Sequence, residues 1–167
     1  MKKIIALLLA AVMVMCLFAG CASSGGSKVI KIGVFEPQSG DNGAGGKQEV
    51  LGIQYANSVK PTVTIGGEEY KIELDIQDNQ SSTDKAVSAA QQLVADKVSV
   101  VLGSYGSGVS IAAGTYFANA KIPAIGCSCT NAAVTAGNDY YFRVCFLDPF
   151  QGSVMASFAM EEFGAKK

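Results

Sequence analysis

After residue 28 the chain alternates short β-branched runs with helix-periodic segments, almost to its last residue. No other feature constrains the fold as much. Strands that follow one another through helices pair in parallel, with right-handed crossovers and helices on both faces of the sheet. Residues 29–35 read as the first strand, and a Gly-rich loop follows over 37–46. Residues 48–58 carry Leu51, Tyr55 and Val59 at helical spacing, with Ile53 and Ala56 beside them. Pro61 stops that helix. Residues 62–65, the Gly66-Gly67 pair and Glu68 onward predict a hairpin with a two-residue turn. Its second arm alternates strictly, with Tyr70, Ile72, Leu74 and Ile76 on one face and charges on the other. That is the pattern of a half-exposed strand near a sheet edge.

The rhythm continues. Residues 78–82 form a loop, with capping-box spacing from Ser81 to Asp84. A helix over 84–96 presents Val87, Ala90 and Val94. Residues 98–102 read as a central strand, 103–108 as a Gly/Ser turn, and 109–119 as an Ala-rich helix. Residues 121–125 form a short strand, 131–139 a turn-rich segment and 140–146 a further strand. Asp148 and Pro149 make a helix start, with Asp as cap and Pro at the first position. Phe150, Val154 and Phe158 are its apolar stripe and Gly164 its stop. The whole reads as an α/β fold, a doubly wound parallel sheet of flavodoxin-like order 2-1-3-4-5. In such sheets ligands bind beyond the carboxyl ends of the strands. The loops over 38–46, 103–108 and 126–130 are therefore the candidate site.

The first 28 residues are of another kind. Lys2 and Lys3 precede an apolar run of about 15 residues from Ile4 to Phe18, shorter than the roughly 20 a membrane span needs. Ala19, Gly20 and Cys21 follow, then small polar residues. This predicts a secretory leader over 1–20 and a lipobox cysteine at Cys21, with a flexible tether over 21–28. Acylation of Cys21 would supply at least two chains, enough for stable anchoring to a membrane. Cys16 would leave with the leader.

Composition narrows the function classes. A net charge of -1, with no Lys/Arg block outside the termini, argues against a nucleic-acid surface. The chain has no histidine, the commonest general base and metal ligand. Beyond Cys21 three cysteines remain, Cys127, Cys129 and Cys145, an odd number that excludes a complete disulfide framework. A cysteine-only metal site at Cys127 and Cys129 would need two more ligands, and small buried thiols are the simpler expectation. The 103–108 segment has no lysine, so it is not a P-loop. Neither Ser104 nor Ser107 sits in a nucleophile elbow with a histidine available. Asp75 and Asp78 loosely resemble a receiver-domain acidic cluster, but a receiver would not be exported. The chain is read as a non-enzyme without a cofactor.

Ser107 lies where a strand has ended and a helix begins. Its hydroxyl and the free N–H groups of that first turn suit a carboxylate or a phosphate. Thr130 offers a backbone donor and a hydroxyl, and the Ser128 carbonyl can accept from an ammonium. Together they would read the two ends of a zwitterion. The same residues also serve ordinary capping and turn chemistry.

The order and spacing of several segments extend this reading. Cys21, Lys31 to Phe35, Ser39-Gly40, Asp78-Asn79, Gly103 to Gly108, Ile125 to Thr130, Tyr141 to Arg143 and Asp148 to Gly152 occur in sequence. From Lys28 to its end the chain resembles the branched-chain amino-acid binding proteins of ABC transporters. The resemblance implies a type I periplasmic-binding fold with two lobes closing on an amino acid. Residues 29–167 would be an incomplete first lobe, because family members are about twice this long. It also implies roles. Ser107 and the Thr130 N–H would hold the ligand carboxylate. The Thr130 hydroxyl and Ser128 carbonyl would hold the ammonium. Tyr105 and Gly106 would line the side-chain pocket. The implied partners are ABC permease subunits and, through the lipid anchor, a membrane. A ligand-sensing module of the same fold, reading an amino acid, amide or urea, is the alternative from another class.

Overall fold

The computed structural model describes residues 28–166; the leader, Cys16, Cys21 and the tether through residue 27 lie outside them. The elements run β1 (Val29–Glu36), α1 (Gly43–Val59), β2 (Thr62–Ile65), β3 (Glu68–Asp78), α2 (Thr83–Ala95), β4 (Val100–Leu102), α3 (Ser107–Asn119), β5 (Ala124–Gly126), a 3-10 turn (Ala132–Val134), β6 (Tyr141–Arg143) and α4 (Asp148–Phe163). They build one six-stranded sheet in the order β2-β3-β1-β4-β5-β6. The five parallel strands follow the predicted 2-1-3-4-5 order. The antiparallel arm β2 lies outside them and takes the edge position next to β3. Gly66 and Gly67 both have positive φ, as the two-residue turn between β2 and β3 requires.

Period-2 alternation along β1 sorts its side chains between two layers. Phe35 faces α2 and α3, where Ala86, Ala90, Leu93, Val101, Ala113 and Phe117 close a dry core. Phe35 and Phe117 meet edge to face with ring centroids 5.6 Å apart. Ile32 faces α1 across an apolar cleft shared with Ile53, Ala56, Ile72, Leu74 and Leu102. Glu36 ends the strand on this α1 side, facing Glu49.

Several local expectations need correction. The helix expected over 48–58 starts at Gly43, inside the segment read as loop. Gly43 and Gly46 are buried against residues 37 and 38, so their lack of a side chain serves packing, not a turn. That contact also sets the rotation of α1. Leu51 and Tyr55 face outward, 57% and 72% exposed, and the sheet side belongs to Val50, Ile53 and Ala56. On α2 the cap is Ser82, not Ser81, and the buried face is Ala86, Ala89, Ala90 and Leu93. On α4, Leu147 stands at the cap and Asp148 makes no side-chain cap bond. The Phe150, Val154 and Phe158 stripe is exposed and no residue of α4 is buried. Gly164 does end that helix, in a left-handed conformation. Among the described residues no helix is long and apolar enough to cross a membrane.

Candidate functional site

The three candidate loops meet at the carboxyl ends of β1, β4 and β5. Each junction is a specific contact. Gly45 lies under the Tyr105 ring so closely that a Cβ there would come within 2.5 Å of it. The Asn131 N–H donates to Ser107 Oγ at 3.2 Å, joining the second loop to the third. The Ser128 hydroxyl donates to Glu49 Oε1, joining the third loop to α1. Ser107, Gly106, Ser128 and Thr130 are half-buried, and Tyr105 is exposed along this edge. The fold thus brings the predicted residues to one end of the sheet.

Ser107 is the first residue of α3, and its cap, Gly106, has no side chain to satisfy a backbone donor. The first-turn N–H groups of a helix have no intrahelical partner, and the helix dipole adds partial positive charge there. With the Ser107 hydroxyl beside them, they are donors of the kind that suits a carboxylate. Such an arrangement of donors suits an anion.

Behind the loops lies a supporting network. Arg143 on β6 donates through Nη1 to the carbonyls of Cys129 (2.8 Å) and Asn131 (2.9 Å), and through Nη2 to Thr135 Oγ1 (2.8 Å). The third loop is thereby fixed around one guanidinium. The Thr130 carbonyl accepts from the Asp148 N–H at 3.1 Å, which ties the start of α4 to the same loop. Tyr141 is buried and its hydroxyl donates to the Gly103 carbonyl at 2.8 Å. Burial pushes its pKa above the ordinary phenol range. Asp78 Oδ1 accepts from the N–H groups of Gln38 and Gln80, both at 2.8 Å, and its Oδ2 accepts from Ser39 Oγ at 2.7 Å. Partial burial works against the charge of Asp78. Its hydrogen bonds with Ser39, Gln38 and Gln80 win, and its pKa lies below the ordinary range.

Sequence reasoning missed the buried acid beneath the loops. Glu36 is fully buried, and its Oε2 accepts from the Tyr105 N–H at 2.7 Å. Burial, reinforced by the neighbouring Glu49, pushes its pKa up to about 10, so it carries a proton at neutral pH. Asn79, also fully buried, donates to Ser104 Oγ at 3.0 Å in the same layer. A signal existed: a glutamate at the carboxyl end of an apolar strand, on the face that Ile32 and Val34 assign to the interior. The three cysteines are free thiols. Cys129 is buried as expected, whereas Cys127 and Cys145 are half-buried.

Comparison with known proteins adds a family and a shape. The periplasmic binding protein family matches residues 29–167. The Leu/Ile/Val-binding protein homolog 1 of Brucella abortus is 32% identical over 136 residues, covering 80% of this chain and 36% of its own length. A leucine-binding protein, LivK, from Thermotoga maritima superposes with a TM-score of 0.75 at 38% identity, over 83% of this chain and 39% of that one. The branched-chain amino-acid transporter substrate-binding protein LivJ of Streptococcus pneumoniae, solved with isoleucine, gives 0.74 at 36% identity, over 83% and 40%. A solute-binding protein of an ABC transporter from Rhodopseudomonas palustris, solved with 3,4-dihydroxybenzoic acid, gives 0.71 at 26% identity, over 80% and 36%. The chain spans less than half the length of each of these relatives.

Proposed function

Because this chain belongs to the periplasmic binding protein family, we propose that it serves an ABC importer as the extracytoplasmic solute-binding component. Its ligand is an amino acid, branched-chain in the first instance, held between this lobe and a second one. Cys21 is the lipid anchor that keeps the protein at the membrane near its permease.

One observation carries the ligand reading. The uncapped amino end of α3 stands beside the third loop, joined to it through Ser107 and Asn131. Ser107 and the Thr130 N–H take the ligand carboxylate. The Thr130 hydroxyl and the Ser128 carbonyl take its ammonium, and Tyr105 and Gly106 border the side chain. The relatives at 36–38% identity are named for leucine binding and for branched-chain amino-acid transport. That favours an aliphatic amino acid over the benzoate-type ligand of the relative at 26%. An aromatic acid would use the same carboxylate seat but leave the ammonium acceptors unpartnered, which is costly when they are desolvated.

A thermal-shift screen of the full-length gene product tests this. Leucine, isoleucine and valine should raise the melting temperature, and benzoates should not. Stabilisation by benzoates alone would replace the amino-acid reading, and no response to any carboxylate ligand would remove it.

A further inference from the structure

Beneath the ligand loops, Glu36, Glu49 and Cys127 each bring one donor atom within 4.8 Å of the other two. They arrive from three separate elements: the end of β1, the second turn of α1 and the residue after β5. Each carboxylate has one oxygen already oriented. Glu36 Oε2 accepts from the Tyr105 N–H, and Glu49 Oε1 accepts from the Ser128 hydroxyl. The remaining oxygens, Glu36 Oε1 and Glu49 Oε2, are both buried and without a hydrogen-bond partner. Glu36 is 0% exposed, so its free oxygen has no access to solvent. The ion pairs among the described residues, Lys28–Glu68 and Lys71–Glu73, include neither glutamate. Fully buried Glu36 and half-buried Glu49 lie this close with no basic side chain between them, so a proton or a cation has to separate their charges.

From this convergence we infer that Glu36, Glu49 and Cys127 form a binding site for a thiophilic divalent cation of the zinc class. Two carboxylate oxygens and a thiolate are donors that Zn²⁺ accepts, while Ca²⁺ and Mg²⁺ take oxygen ligands. Three protein ligands leave one position open, as zinc sites with an exchangeable ligand do. Tetrahedral donors around zinc stand about 3.3–3.7 Å apart, given metal–donor distances of about 2.0–2.3 Å. Donor atoms that lie within 4.8 Å of one another have to close by no more than about 1–1.5 Å to meet that geometry, and Glu49 and Cys127 are only half-buried. The Tyr105 N–H and the Ser128 hydroxyl play the part of outer hydrogen bonds that orient ligating carboxylates. Binding displaces the proton from the glutamate pair and the proton from the Cys127 thiol, so two protons leave as the cation enters. Of the two thiols the sequence left short of metal ligands, only Cys127 joins the site, and its companions are glutamates instead of Cys129. The site does not depend on which solute the lobe binds.

The test uses Co²⁺ as a spectroscopic probe and Zn²⁺ as competitor, on the reduced full-length product carrying Cys21→Ala. One equivalent of Co²⁺ should produce a near-ultraviolet thiolate charge-transfer band that one equivalent of Zn²⁺ abolishes. Cys127→Ser should eliminate the band, and Glu49→Gln should weaken Co²⁺ affinity at least ten-fold, both with an unchanged circular dichroism spectrum. Absence of any band or bound metal at micromolar Co²⁺ would mean that the glutamates hold only a proton, and would overturn the site. A band that survives Cys127→Ser would overturn it equally.

Discussion

The backbone N–H of Asn131 donates to the hydroxyl oxygen of Ser107 at 3.2 Å, across 24 residues of sequence. The hydroxyl hydrogen of Ser107 is not used by that bond and can be given elsewhere. The bond ties the amino end of α3 to the residue that follows Thr130, so in the proposed site a carboxylate on Ser107 would lie next to Thr130 as well.

Ser107→Ala removes a hydroxyl donor to a charged ligand oxygen and also the acceptor for Asn131. Hydrogen bonds to charged groups are worth about 1.5–3 kcal/mol, so affinity for leucine should fall roughly ten- to hundred-fold. Thr130→Ala keeps the backbone donor and loses only the hydroxyl, so its loss should be smaller, about ten-fold. Calorimetry on the full-length product measures both. Unchanged affinity in the pair of variants would remove these residues from the site.

Sheet order and the meeting of the three loops at one end of the sheet were legible because they follow from local periodicity and from general rules of parallel sheets. The alternation from Tyr70 to Ile76 and the apolar run at Val100–Leu102 needed no tertiary information. The start and rotation of α1 did. Residues 43–46 look like loop until Pro37 and the Tyr105 ring are placed against them, and only then does Leu51 turn outward. The Glu49–Ser128 hydrogen bond joins residues 79 apart, and sheet topology alone creates that juxtaposition. No local pattern marks Glu36 as the partner of Glu49, so the buried acid layer stayed hidden while the loops above it did not.

Two glycines of one helix should respond oppositely to alanine. A Cβ at Gly46 would run into the Pro37 carbonyl oxygen and ring, so Gly46→Ala must displace α1 or the loop before it. A loss of about 1–3 kcal/mol is expected, the range for overpacking. Gly52 has open space where its Cβ would stand. Gly52→Ala should gain about 0.5–1 kcal/mol from helix propensity alone. Urea unfolding of the two variants would show midpoints on opposite sides of the parent protein.

Asp78 should contribute to the acid limb of stability. Its folded pKa lies below its ordinary value, so its stabilisation is present above the unfolded value and is lost as pH falls through the folded one. Asp78→Asn loses the charge-assisted bonds from Ser39, Gln38 and Gln80 and should cost about 1–3 kcal/mol at pH 7. The gap between variant and parent should close in melts taken toward pH 2. A gap that stays constant with pH would assign the cost to packing instead of charge.

Glu36 should act on the opposite limb. Its folded pKa is raised to about 10 by burial and then by Glu49, against 4.5 for the free side chain. For an acid this means that the folded state keeps a proton which the unfolded state releases. Its stabilisation is complete below pH 4.5 and declines as pH rises toward 10, by at most about 1.4 kcal/mol per pH unit for one proton. Metal-free protein should therefore melt higher at pH 5 than at pH 8. Glu36→Gln keeps a neutral donor facing Glu49 and has no proton to lose, so its melting temperature should depend less on pH and exceed the parent's at pH 8. Zn²⁺ acts on the same pair in the other direction. It replaces protons, so its stabilisation should grow from pH 6 to pH 8, and in Glu36→Gln that growth should shrink together with the affinity. A parent protein with equal melting temperatures at pH 5 and pH 8 in chelator would show that Glu36 is not held protonated, and that the acid layer beneath Tyr105 is open to water.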